Sequence, residues 1–314
     1  MTKVNKSKNS SLWKSIKKGK WGYIMIAPLI IGLLIFSYYP SVSGLVLSFF
    51  NKSSTETSFA GFDNFTKLFK DEIFLNSIGT MFKIMIPKLL ISIIAPLIMA
   101  ELIFAVKCEK LGGAFRVLTL IPIVAPGVVS MLIWRNILSV DGLLTDIAKL
   151  LGFVEGDAVL DWLGALGNDS LVLFSVVFIG FPWVGGTSVL IYTAGLNEIS
   201  AEVMDAAKLD GASNFKRIFY IDLPLLTGQI KYFLIFGIIG GLQDYGIQYT
   251  ITDGGPGYST YVPGYYLYKL AFAQDNMGYA AAIGVLLFVV TFLLSVFMFR
   301  FMDIGGMKKQ RGVF

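Results

Sequence analysis

Residues 243–249 read QDYGIQY, and they place Gln243, Asp244, Tyr245, Gln248 and Tyr249 within two helical turns at the end of an apolar run. Amides and carboxylates hydrogen-bond hydroxyl groups, and aromatic rings stack on the C–H faces of sugars, so this set suits a polyhydroxylated ligand. Polar groups at membrane depth are costly, so each is expected to face a cavity or a partner chain. Trp183, beside Pro182 in another apolar run, offers a further ring. The plainer account is that these side chains pack against a second chain, with Tyr249 an interfacial anchor. Gly240, Gly241 and Gly246 permit close helix approach or local unwinding.

Bond-making chemistry finds little support. The chain has no histidine, which excludes a His-based zinc site and a Ser-His-Asp triad. Its single cysteine, Cys108, forbids an intrachain disulfide. No paired-carboxylate constellation or metal-ligand set is present, so neither a catalytic residue nor a metal site is assigned. DGGPG (Asp253–Gly257) superficially resembles a phosphate loop, but no Lys-Ser/Thr follows it, and a tight turn is the better reading. The net charge of +5 does not point to nucleic acid, because the lysines flank apolar spans instead of forming one face with interleaved aromatics.

Only 15% of the 314 residues are charged, against roughly 25% in a soluble domain, and mean hydropathy is +0.70. An apolar run of about 20 residues crosses a bilayer. Six such runs are present, at Gly22–Val46, Ile78–Val106, Phe115–Leu138, Leu171–Gly195, Gln229–Thr250 and Tyr279–Phe301. The first contains Pro28 and Pro40 and lacks a small-residue cleavage site, so it is read as a span and not a signal peptide. Of the 26 Lys and Arg residues, 18 fall before the first span, between the second and third, between the fourth and fifth, and after the sixth, with Arg116, Lys231 and Arg300 counted at the adjoining span edges. By the positive-inside rule these regions are cytoplasmic, as are both termini. Pro87 and Pro182 are the places where a span could break.

The connection from about Leu196 to Gly228 is unlike a linker. Ser200 is a candidate N-cap with Glu202 in the first turn, and residues 201–209 are good helix formers. Val203, Ala206 and Ala207 give one narrow face of small residues. Gly211 suits a left-handed C-cap, Ser213 can cap a second short helix through Tyr220, and Pro224 redirects the chain. Composition alone also allows an amphipathic hairpin lying on the membrane.

The stretch EVMDAAKLDGASNFKRIFYIDLPLL (Glu202–Leu226) closely resembles the signature E-A-A-x(2)-D-G-A-x(5)-F-x-x-I-x-L-P of ATP-binding-cassette importer permeases. Ala206, Ala207, Asp210, Gly211, Ala212, Ile221, Leu223 and Pro224 carry the match. Asp205 stands in place of the Glu, and Ile218 in place of the Phe. TDGGPGYST (Thr252–Thr260), AFAQDNMGYAAAIGVLLF (Ala271–Phe288), AGFDNFTKLF (Ala60–Phe69) and AGLNEIS (Ala194–Ser200) resemble the sugar-permease branch, typified by maltose and glycerol-phosphate importers.

The resemblance implies an all-α polytopic fold, the type-1 importer transmembrane domain. It divides the chain into a basic cytoplasmic tail (1–21), the first helix with the segment after it (22–71), the permease domain (72–304) and a C-terminal tail (305–314). It implies a subunit of the bacterial plasma membrane that imports a carbohydrate, an oligosaccharide before glycerol-phosphate or a monosaccharide. The implied partners are a second homologous permease, two ATPase subunits that carry ATP and Mg, and an extracellular solute-binding protein; this chain itself holds no cofactor. Glu202, Asp205, Ala206, Ala207, Asp210, Gly211, Ala212 and Phe215 would meet the ATPase. Gln243, Asp244, Tyr245, Gln248 and Trp183 would line the substrate path. The alternative class is an ion-coupled secondary transporter, which usually shows more spans or an inverted repeat. A membrane-bound transferase is the third class, and it lacks its acid–base groups.

Overall fold

The computed structural model describes residues 19–106, 108–153, 160–164 and 171–301. Most of the basic N-terminal tail and all of residues 305–314 lie outside this range. The architecture is helical apart from one antiparallel ribbon, β1 (Phe50–Lys52) and β2 (Thr57–Phe59), paired in the register Phe50↔Phe59 and Lys52↔Thr57. An alternating, half-exposed stretch this short carries little sequence signal, and the all-helical expectation missed it.

Among the described residues, three helices are long and apolar enough to cross a membrane uninterrupted: α1 (Lys20–Leu47), α3 (Glu72–Ala105) and the last, Met277–Arg300. No residue of α1 is buried within this chain. Its Met25 and Phe36 are more than four-fifths exposed, as suits a helix whose surroundings are lipid or another subunit. Between α1 and α3 lies a short helix, α2 (Asp63–Leu68). With 34 residues, α3 is about 51 Å long at 1.5 Å per residue, well beyond the ~30 Å hydrocarbon core. It carries Pro87 and Pro96 without a break.

The other apolar runs are not straight. The third is α4 (Glu109–Val124) and α5 (Gly127–Ile137), which meet at 90° beside Pro126. A short amphipathic helix, α6 (Leu143–Leu150), follows. The fourth run divides into α7 (Val172–Phe178) and α8 (Gly186–Asn197), separated by irregular backbone that includes Pro182. After α9 (Ala201–Leu209), the helical segment α10 (Asn214–Leu225) turns by 66° into the fifth run, which begins with α11 (Thr227–Gln243). Helical backbone resumes over residues 246–252, and α12 (Pro263–Tyr268) and α13 (Met277–Phe301) follow. Against the six spans expected, the described residues show three uninterrupted helices and two bent pairs, and the fourth run breaks beside Pro182, one of the two places marked for a break, while Pro87 breaks nothing. Hydropathy measures how oily a run is; it does not report direction, which the proline positions and packing decide.

Three apolar clusters hold the bundle. One joins Phe74, Tyr266, Leu270, Tyr279 and Ile283 near the start of α3. There Asp71 caps the helix: its Oδ1 accepts from the N–H groups of Ile73 and Phe74, and its Oδ2 accepts from the Tyr266 hydroxyl at 2.7 Å and the Tyr279 hydroxyl at 2.6 Å. A central cluster contains Met81, Met85, Leu242, Ile247 and Tyr265. At the far end of α3, Ala100 and Ile103 pack with Val189, Tyr192, Leu196 and Leu226, joining α3 and α8 to the start of α11.

Candidate functional site

The α9–α10 hairpin forms as its local chemistry predicts, with one amendment. Ser200 occupies the N-cap position with extended backbone, but its hydroxyl accepts no backbone N–H. Instead, the backbone N–H of Glu202 and then the Ser200 hydroxyl donate to the Glu202 carboxylate, holding it below the usual carboxylate range. At the other end Gly211 adopts φ +71°. The Gly211 N–H donates to the Lys208 carbonyl at 3.1 Å and the Ala212 N–H to the Ala207 carbonyl at 2.9 Å, the paired bonds of a Schellman motif. Ser213 Oγ accepts from the Lys216 N–H at 3.3 Å and starts α10. Helicity continues past Tyr220 and includes Pro224; the chain turns only at Leu226, which is fully buried.

Glu202, Asp205, Ala206, Asp210, Gly211 and Phe215 are exposed, and Ala212 is half-buried. Ala207 departs from the expected face: it is turned inward and buried, so its contribution is to the hairpin's closure. Asp205 pairs with Lys208 at 2.8 Å on the surface. Apolar side chains crowd the exposed side. Leu209 is 88% exposed, Tyr220 81% and Phe215 73%, and the Phe215 ring lies 4.8 Å from that of Phe219. A patch of this kind on polar surroundings marks a contact surface.

Sequence reasoning missed the group that ties this hairpin to the bundle. Arg217 on α10 donates from Nε to Asp222 Oδ2 at 2.9 Å, and from Nη2 to Glu101 Oε2 on α3 at 3.2 Å. Its guanidinium also lies over the Phe104 ring, 5.4 Å from the centroid. The Asp222 side chain is fully buried, Glu101 is 8% exposed and Arg217 19%. One signal was available: Glu101 is the only acidic residue in the run Ile78–Val106.

A second feature lies midway along α3. A cavity of about 420 Å³ is lined by Lys88, Ser92, Trp183, Asp244 and Gln248, with Met81, Met85 and Gly241 among the apolar walls. Lys88 stands 16 residues after the first residue of α3 and 17 before the last. Trp183 belongs to the broken stretch between α7 and α8, has φ +58°, and donates from Nε1 to the Val177 carbonyl at 3.2 Å. Non-helical backbone at membrane depth is tolerated where it is buried in protein or lines a cavity, and here it does the latter. Asp244 Oδ1 accepts from the Gly246 N–H at 3.1 Å, which fixes the carboxylate.

Three of the five sequence-selected path residues, Trp183, Asp244 and Gln248, thus meet in one cavity. Gln243 and Tyr245 do not join them. They line a separate recess of about 450 Å³ with Gly264, Leu267, Phe288 and Thr291. The chain leaves helical geometry at Asp244 and Tyr245, so the 3.6-residue phase that would group the set is lost. Residues 253–257 form a turn as expected. Asp253 has φ +49°, and its Oδ1 accepts from Lys269 Nζ at 2.8 Å and from the Tyr265 hydroxyl. The Lys269 ammonium holds the Asp253 carboxyl below its ordinary value.

Residues 92–304 match the family described as the binding-protein-dependent transport system inner membrane component. The chain belongs to this family. It is a multi-pass permease with the type-1 importer fold. It is 29% identical over 276 residues to the arabinooligosaccharides transport system permease protein of Bacillus subtilis, covering 87% of this chain and 86% of the relative. The sn-glycerol-3-phosphate transport system permease protein of Agrobacterium fabrum is 30% identical, with 90% and 94% covered. In fold, the permease matches a chain of a bacterial alginate ABC transporter crystallised with an alginate pentasaccharide-bound periplasmic protein. The TM-score is 0.79 at 22% identity, covering 93% of this permease and 97% of that chain. The matched residues 92–304 contain the whole hairpin and Trp183, Asp244 and Gln248, whereas Lys88 lies just before them.

Proposed function

We propose that this permease is the membrane-spanning subunit of an ATP-driven importer that carries a carbohydrate, an oligosaccharide first, into a bacterial cell. The observation that carries the reading is the hairpin: an exposed apolar patch at Leu209, Phe215, Phe219 and Tyr220, mounted on a segment bonded to a full-length span through Arg217 and Glu101. Such a surface suits docking into a groove of an ATPase subunit, with Glu202, Asp205 and Asp210 setting polar register around it. Two ATPase subunits bind ATP and Mg, and this chain holds no cofactor. Their closure pushes the hairpin; the buried ion pair and the Leu226 cluster transmit the push to α3, α8 and α11, which rock about the central cavity.

Trp183, Asp244 and Gln248, joined by Lys88, line the sugar path. Gln243 and Tyr245 face a second, homologous permease across the recess with Phe288. The excess of Lys and Arg on the hairpin side supports a cytoplasmic hairpin and cytoplasmic termini. On that placement the ribbon and the 253–257 turn face outward and receive the solute-binding protein. The names of the arabinooligosaccharide relative and its diacetylchitobiose counterpart from Streptomyces coelicolor support an oligosaccharide as cargo. Membership in a binding-protein-dependent family argues against the ion-coupled alternative.

Purification from the native membrane tests the reading: ATPase subunits should co-purify, and uptake in vesicles should require both ATP and added binding protein. Uptake driven by an ion gradient without ATP would refute it.

A further inference from the structure

Among the described residues, Lys88 and Asp244 are the only ionisable side chains that line the central cavity. Their Nζ–Oδ2 separation is 4.0 Å, well beyond the 2.7–2.9 Å of a charge-assisted hydrogen bond. At that distance the two charges attract each other as a loose ion pair without a hydrogen bond between them. Among the described residues Lys88 makes no other ion pair or hydrogen bond. Gln248 is 3% exposed, lines the same cavity, and has no side-chain hydrogen bond among the described residues. A buried amide with free donors and acceptors, beside an unclosed ion pair, is a site that expects a hydroxyl-bearing ligand.

The backbone repeats the balance of charge. Gly185, the uncapped N-terminus of α8, lines the cavity and brings roughly half a positive charge; Asp244, the C-cap of α11, marks the opposite end of a helix dipole with roughly half a negative charge. Side chains and helix ends both sum to about zero.

We infer, resting on the carbohydrate reading above, that the cavity is a subsite for an uncharged saccharide and discriminates against phosphorylated and uronate sugars. Lys88 Nζ donates to one hydroxyl, Asp244 Oδ2 accepts from its neighbour, and Gln248 takes a third polar contact. A vicinal diol approaching from the cavity side can bond an ammonium and a carboxylate 4.0 Å apart, one hydroxyl to each. A phosphate or carboxylate would gain from Lys88 but meet the Asp244 carboxylate beside it; the Asp244 side chain is 53% exposed, so solvent weakens that repulsion without removing it. Lys88 is thus a specificity-determining residue that no motif marks.

The test uses the assembled transporter in proteoliposomes, with its binding protein outside and ATP inside. The probes are arabinotriose, diacetylchitobiose and maltotriose as neutral saccharides, and trigalacturonate and glycerol 3-phosphate as anions. Uptake of at least one neutral probe should exceed that of both anions by tenfold or more. Lys88→Met and Asp244→Asn should each raise the apparent KM for that probe at least tenfold, with a smaller change in maximal rate; Lys88→Arg should recover most of the loss. Asp244→Asn should also narrow the handicap of the anions. If the single variants fail to reach the membrane, the reversed pair Lys88→Asp with Asp244→Lys keeps the charge sum and should keep the neutral preference. Equal or better uptake of an anionic saccharide, apparent KM values within twofold of wild type, or loss of preference in the reversed pair would each overturn the inference while leaving carbohydrate import standing. Failure of every saccharide alongside ATP-dependent uptake of a non-sugar solute would remove the carbohydrate reading itself, and the subsite with it.

Discussion

Replacing Arg217 with Met separates the hairpin from the bundle without changing its local caps. Two carboxylates then remain without their cation: Asp222, whose side chain is fully buried, and Glu101, 8% exposed. Removing one partner of a buried ion pair costs about 3–5 kcal/mol. Arg217 is 19% exposed, so part of its charge is screened and the lower end, about 3 kcal/mol, is the better figure. At 1.4 kcal/mol per factor of ten, that raises the open population of α10 about 100-fold. Amide hydrogen exchange of residues 214–226, measured by mass spectrometry on the permease in nanodiscs, should quicken by that order, while amides of α13 stay unchanged. ATP-driven uptake should fall together with it. The triple variant Glu101→Met, Arg217→Met, Asp222→Leu removes the charges together and should return most of the protection, because packed apolar side chains can replace a buried ion network at little cost. Exchange in Arg217→Met within threefold of wild type, or a triple variant no better than the single one, would refute this account of the strut.

Gly211→Val places a β-branched residue at φ +71°, where no atom lies within 4 Å of the added Cβ, so the cost is backbone strain alone. A left-handed conformation costs roughly 1–2 kcal/mol for an ordinary residue, and Asn bears it better than Val. Membrane insertion should persist in both variants, with transport lost in Gly211→Val and largely kept in Gly211→Asn; normal uptake by the Val variant would count against the hairpin as a coupling element. Phe215→Asp changes a ring that is 73% exposed, so stability should move by no more than about 0.5 kcal/mol while co-purification of the ATPase subunits is lost. At Asp71, burial pushes the carboxyl up, but the Tyr279 and Tyr266 hydroxyls and the N–H groups of Phe74 and Ile73 outweigh it and hold the value below normal. A depressed carboxyl stabilises the fold above its unfolded value of about 4 and loses that contribution as pH falls through the lower folded value. Melting of purified wild type should therefore weaken below about pH 4 more steeply than that of Asp71→Asn; parallel curves would show that the cap carries no charge-dependent stability.

The hairpin was legible because its determinants are local. Gly211 and Ser213 act on backbone groups within about five positions, and Ser200 acts on the Glu202 side chain two residues on, so residue type and spacing suffice to place them. The apolar runs and the lopsided distribution of Lys and Arg were equally legible, since the cost of polar groups in hydrocarbon acts on composition before any packing exists. Only the tertiary structure decided the bends at Pro126 and Leu226, the break at Pro182, and the unbroken passage of α3 through Pro87. It alone joined Arg217 to Glu101, 116 positions away, and set Lys88 against Asp244 across the central cavity. It also divided QDYGIQY between two recesses, because the chain leaves the helix at Asp244 and Tyr245 and the periodicity that would predict a common face ends there. Short-range bonds and transfer energies are written residue by residue, whereas pairings between distant side chains depend on how whole helices pack.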